Sequence, residues 1–88
     1  MSDHDPDQRA RSFEHRHLGD AIRELREQHG LSQAELADRA RLRRHHLGAI
    51  ERGEVDPTFL TLVRITRAVP VPLAELMRLF EQRRDEPG

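Results

Sequence analysis

Gly30, Gly53 and Pro70 cut this chain into short helical pieces, and no other feature constrains its fold as much. Before Gly30, Leu18, Ala21, Ile22 and Leu25 stand at i, i+3, i+4 and i+7, the apolar stripe of an amphipathic helix. Gly30 suits the left-handed residue that follows a helix, and Leu31 is the hydrophobic contact that commonly accompanies it. Ser32 and Glu35 have the S-x-x-E spacing of a capping box, so a second helix opens there with Leu36, Ala37 and Ala40 inward. A break around Arg41 to Arg43 precedes a third helix, which runs to about Arg52 with Leu47 and Ile50 inward and stops at Gly53. Thr58 caps a fourth helix carrying Leu62, Ile65 and Val69, which Pro70 stops. Pro72 fits the first turn of a fifth, with Leu73, Leu76, Met77 and Phe80 inward. No stretch alternates with a period of two between turn signals, so no strand is expected. The expectation is an all-α, compact five-helix domain.

The chain has 88 residues, enough for one small domain. We expect residues 1–16 to form a disordered arm, although Ser12 could cap a helix starting at Phe13. Residues 17–81 would form the domain and 82–88 a charged, fraying tail. A domain of this size buries only about 60–65% of the surface its unfolded chain exposes. With hydrophobic residues at 35% and aromatics at 3%, it has little room for a deep substrate cavity, which argues against a self-contained enzyme. Neither a Ser/His/Asp order, a Gly-rich phosphate loop nor a carboxylate pair comes with a supporting fold. We therefore expect no catalysis. The six histidines tempt a metal assignment, but His15-x-His17 and His45-His46 lack nearby cysteine and an i, i+4 partner on one helix face, so no metal or other cofactor is expected. No apolar run is long enough to span a membrane, and the first residues lack a signal-peptide hydrophobic run. The default compartment is the cytoplasm.

Charge is unevenly placed. All fifteen basic residues are arginine, and the formal net charge is −1. Yet residues 32–53 carry five arginines (Arg39, Arg41, Arg43, Arg44 and Arg52) against the three acids Glu35, Asp38 and Glu51, a surplus of two positive charges. His45 and His46 lie among them and can add charge near an anion. Such an island is either a solvated turn or one face meeting an anionic partner. Arginine's planar fork binds phosphate and guanine bidentately, although a genome-wide preference for arginine codons accounts for its excess equally well.

Residues 32–53 also form two short helices joined by about three residues, a helix-turn-helix arrangement. Arg44, His45, Gly48 and Ala49 share the outward face of the second of these helices. Together LGDAIRELREQHGLSQAELADRA (18–40), LRRHHLGAIERG (42–53) and PTFLTLVRITRAVPVPLAELM (57–77) resemble the Cro/CI-type helix-turn-helix domain of bacterial and phage regulators, the XRE family, over about two-thirds of the chain.

The resemblance implies a lambda-repressor-like DNA-binding fold and a sequence-specific transcriptional regulator, typically a repressor, bound to double-stranded DNA as a homodimer on half-sites about one helical turn apart. By the same resemblance Gln33 starts the second helix and contacts a phosphate. Arg44, His45 and Ala49 reach base edges from the third, recognition helix, and Arg43 lies at its start. Arg26 and Glu51 match a pair that joins the first helix to the recognition helix. Dimer contacts are implied on the last helix at Leu76, Leu79 and Phe80, with Leu79 the candidate expected to be exposed. The sequence departs from the family pattern in the turn, where Arg41 replaces a usual Gly, and at the cap, where Arg43 replaces a usual Ser or Thr. Gly48 weakens the recognition helix. Glu54 and Asp56 put negative charge in a loop that in the family contacts phosphate. These departures keep a second expectation open: an antitoxin or adaptor module whose main role is binding a protein partner.

Overall fold

The structure, a computed structural model, describes residues 10–85; the first nine residues of the expected arm and the last three of the expected tail lie outside the described residues. Five helices run in order: α1 (Phe13–Gln28), α2 (Gln33–Ala40), α3 (Arg44–Glu51), α4 (Phe59–Ala68) and α5 (Leu73–Asp85). Three caps operate where the sequence places them. Ser12, Ser32 and Thr58 each accept a hydrogen bond from the backbone N–H three residues on, and Glu35 returns the bond to the Ser32 N–H at 2.8 Å to complete the box. Those bonds hold the Glu35 carboxyl below its ordinary range.

Two boundaries differ from expectation. The Ser12 cap starts α1 at Phe13, so residues 13–16 belong to the helical domain rather than to an arm. At the other end α5 continues to Asp85, and Arg83 donates to Glu24 on α1 at 2.9 Å, which ties the start of the expected tail to the body.

The core is a single cluster centred on Ile22, Leu25, Leu36, Leu47, Ile50 and Ile65, all at most 1% exposed. Helix α1 packs against both α3 and α5, and α2 packs against α3 and α4. The α1–α3 crossing is close because position 19 is glycine. A Cβ there would collide with the carbonyl oxygens of Ile50 and Glu51 at the end of α3.

On α5 the buried stripe is rotated from the expected one. Leu76 and Leu79 are 0% and 2% exposed, whereas Leu73, Met77 and Phe80 are only half-buried. The expected dimer contacts at Leu76 and Leu79 are therefore corrected. Both side chains are consumed by the protomer's own core, because α5 turns that face toward its neighbours and leaves the Met77–Phe80 edge at the surface.

One carboxylate joins three helices. Glu51, the last residue of α3, is 3% exposed. Its Oε2 accepts from Arg26 Nε at 2.8 Å and its Oε1 from Arg26 Nη2 at 3.0 Å, a bidentate pair with the last turn of α1. The same Oε1 accepts from Gln33 Nε2 at 2.9 Å, at the start of α2. Arg26 Nη1 donates to the Leu31 carbonyl at 2.9 Å, which fixes the α1–α2 turn. The hydrogen bond to Glu51 pushes the Arg26 guanidinium above its ordinary value against the opposing effect of burial.

Glu51→Ala leaves Arg26 and Gln33 without their acceptor, and breaking a buried pair from one side costs about 3–5 kcal/mol. Urea unfolding should show a loss of that size, with none expected for the exposed acid Glu27. Gly19→Ala should lose about 3 kcal/mol by forcing α1 away from α3, and thermal unfolding would register it.

Candidate nucleic-acid interface

Helices α2 and α3 and the three residues between them form the site. The turn uses the same closure as the α1–α2 junction. Gly30 N–H donates to the Glu27 carbonyl and Leu31 N–H to that of Arg26; likewise Arg41 N–H donates to the Asp38 carbonyl at 3.2 Å and Leu42 N–H to that of Ala37 at 2.8 Å. The first junction has its left-handed residue at Gly30, with φ +70°, but the second has it at Arg41, with φ +60°. A non-glycine residue there costs roughly 1–2 kcal/mol.

Arg43 occupies the N-cap of α3 in extended conformation and makes no side-chain cap bond. The first N–H groups of the helix therefore lack the partner that Ser or Thr would supply, at a cost of about 1 kcal/mol. Arg44 follows in the first turn, where a cation opposes the positive end of the helix dipole. Arg41, Arg43, Arg44 and His45 are exposed. Among the described residues none of Arg39, Arg41, Arg43 and Arg44 makes an ion pair or side-chain hydrogen bond. Uncapped N–H groups and unpaired guanidinium groups thus face solvent together. Helix N–H groups and arginine forks are the donors that meet phosphate or base acceptors in anion-binding surfaces.

The expected site residues divide into two sets. Arg43, Arg44 and His45 are on the open face, and Ala49 is half-buried one turn further along. Gln33 is half-buried and bonded to Glu51 through its side-chain amide, a role that its expected phosphate contact does not reveal. Gly48 is buried where Gln33 lies against α3: a Cβ at position 48 would stand 3.6 Å from Gln33 Oε1 and 3.1 Å from Arg52 Nη1. Arg26 and Glu51 form the pair that the sequence resemblance implied.

The acidic loop is partly neutralised. Arg52 Nε donates to Glu54 at 2.9 Å and Nη2 donates to its other oxygen at 3.2 Å. Glu54 accordingly raises the Arg52 guanidinium above its ordinary value. This pairing cancels one acid of the loop and removes one arginine from the unpaired set. Asp56 is exposed, with its carboxylate 3.6 Å from His15 Nε2.

Comparison with known proteins agrees with this arrangement. The helix-turn-helix family model HTH_3 matches residues 22–76, more than half of the chain. The uncharacterized HTH-type transcriptional regulator y4dJ of Sinorhizobium fredii is 33% identical over 60 residues, which cover 68% of this chain and 78% of that protein. Among solved structures, the restriction-modification controller protein C.AhdI from Aeromonas hydrophila superposes with a TM-score of 0.72 at 31% identity, over 74% of this chain and 98% of the other. The clp gene regulator ClgR from C. glutamicum gives a TM-score of 0.77 at 24% identity, over 80% and 91% of the two chains, a likeness of fold. The chain belongs to the helix-turn-helix family, of the Cro/CI-type (XRE) class that its motifs resemble.

Proposed function

We propose that this chain is a sequence-specific DNA-binding transcriptional regulator that seats α3 in the major groove of double-stranded DNA and works as a homodimer in the cytoplasm of a bacterium or phage host. The observation that carries this is the set of unpaired arginines around the uncapped start of α3, on a helix whose pose is fixed from behind by Glu51. In this reading Arg44, which is exposed, offers its fork to guanine O6 and N7, and His45, also exposed, meets an adjacent base edge. Arg41 and Arg43 flank the helix start and suit backbone phosphates. Gln33 contributes its backbone N–H at the first turn of α2, while its side-chain amide is shared with Glu51. The relatives' printed names, a transcriptional regulator and a restriction-modification controller, point the same way.

Fluorescence anisotropy with duplex DNA from the region upstream of its own gene tests the proposal. Binding should saturate and weaken steeply as salt rises, because each neutralised phosphate releases counterions. Arg44→Ala should cost about 1–3 kcal/mol of affinity and relax base preference at one position. Binding indifferent to salt or to Arg44→Ala would favour the alternative of a protein-binding adaptor or antitoxin. Arg41→Gly separates folding from function: it should stabilise the fold by about 1 kcal/mol by relieving the left-handed strain, yet reduce the salt slope of binding by about one. Thermal unfolding and anisotropy on the same sample would show both effects.

A further inference from the structure

Arg41, Arg43 and Arg44 crowd the start of α3, exposed and without an ion pair or side-chain hydrogen bond among the described residues. The opposite charge is concentrated elsewhere in the chain. Residues 1–9, MSDHDPDQR, lie outside the described residues and carry Asp3, Asp5 and Asp7 against the single Arg9. The structure shows where this segment enters the domain. Arg11 N–H donates to the Gly53 carbonyl at 2.8 Å, two residues beyond the end of α3. Ala10 lies at the same point, since a Cβ at Gly53 would stand 3.1 Å from the Ala10 Cβ and 2.9 Å from Arg16 Cα. We propose that the acidic segment Asp3–Asp7 folds back along α3 onto Arg41, Arg43 and Arg44, and so competes with the anionic partner of that surface. The consequence for DNA rests on the reading above; the contact itself does not.

Reach, charge and tethering each support this contact. Helix α3 has eight residues, so its start lies about 12 Å from its end. A chain covers at most about 3.3–3.6 Å per residue, so Asp7 lies within about 10 Å of the anchor at Ala10 and Asp3 within about 25 Å. The three carboxylates can therefore span the whole length of α3, and Asp3 and Asp5 can reach its first turn. Their spacing suits the task, because residues two apart in an extended segment face the same way and would present one acidic edge. The anchor is firm. Ser12 caps α1 immediately after it, with His15 N–H donating to Ser12 Oγ at 3.1 Å. Arg52, nearer the anchor, is already held by Glu54 at 2.9 Å, which leaves the unpaired arginines at the far end of α3 as the open partners. Anchoring also makes the contact intramolecular, so ion pairs that are individually weak add up at a high effective concentration.

The test uses the full chain with Asp3→Asn, Asp5→Asn and Asp7→Asn combined, changes that lie outside every described helix. Without DNA, the backbone amide resonances of Arg43, Arg44 and His45 should differ between the parent chain and this variant at low salt. They should converge at about 1 M salt, where the screening length falls to about 3 Å. A control of equal charge change, Glu27→Gln, Glu81→Gln and Glu86→Gln combined, should leave those resonances in place. In fluorescence anisotropy with duplex DNA from the region upstream of its own gene, the Asn variant should bind about 3- to 10-fold tighter than the parent, the size expected of three exposed ion pairs, and the Gln control should gain less. Identical resonances at low salt, shifts confined to Arg64 and Arg67 on α4, or equal tightening by both variants would each overturn the proposal. Shifts at Arg43 and Arg44 that depend on the three aspartates, with no duplex bound by either chain, would uphold this contact and overturn the DNA reading. Duplex binding of equal strength by both chains, with identical resonances, would do the reverse.

Discussion

The Glu51 carboxylate is the constraint on which the rest of the structure depends. It is almost fully removed from water, so its charge is tolerable only with donors on both oxygens. Arg26 supplies two from α1 and Gln33 one from α2, while Glu51 itself ends α3. Three helix ends are thereby brought to one point. Leucine and isoleucine contacts alone would permit sliding, because burial is not directional, whereas a bidentate pair and a shared amide specify angle and register. Gly19 lets α1 approach closely enough for the pair to form, since any Cβ there would meet the carbonyls of Ile50 and Glu51.

Local weakness and tertiary support are balanced around α3. Taken as a peptide it is a poor helix. It has eight residues, no side-chain cap, a glycine in its middle and a cation at its positive end. The turn before it has an arginine in a conformation better suited to glycine. The left-handed arginine, the glycine and the missing cap each lower local stability by about 1–2 kcal/mol. The helix nevertheless forms because Leu47 and Ile50 are buried and Glu51 is anchored. The destabilising residues at 41, 43 and 44 are all arginines, all are exposed, and none makes an ion pair or side-chain hydrogen bond among the described residues. A protein that tolerates strain where its positive charge gathers, and invests its strongest buried interaction directly behind, has the design of a binding surface held in a preformed pose.

Much of this was legible in the sequence. The helix starts follow from Ser32 with Glu35 and from Thr58, and the stops from Gly30, Gly53 and Pro70, because caps and breakers act locally. The Arg26–Glu51 pair was legible only through the family resemblance; nothing about its separation in the chain announces it. Gly19 went unread, since a glycine in a helical stripe looks like a weak helix former until the opposing backbone is known. Gln33 showed one role where the structure shows a second, for the same reason. Leu79, expected to be exposed, misled because helical periodicity shows that α5 has an apolar stripe but not which part of a wide stripe the core uses. Arg52 and Glu54 read separately as a basic and an acidic contribution, and only their pairing shows that they cancel.

Selection of duplexes from a random DNA pool tests the central claim most directly, with Arg44→Ala protein selected in parallel. The account predicts recovery of one recurrent motif containing a guanine, arranged as two-fold related half-sites about one helical turn apart. It also predicts that the Arg44→Ala protein loses preference at that guanine while keeping the remainder of the motif. Recovery of no motif, or of an identical motif from both proteins, would contradict it.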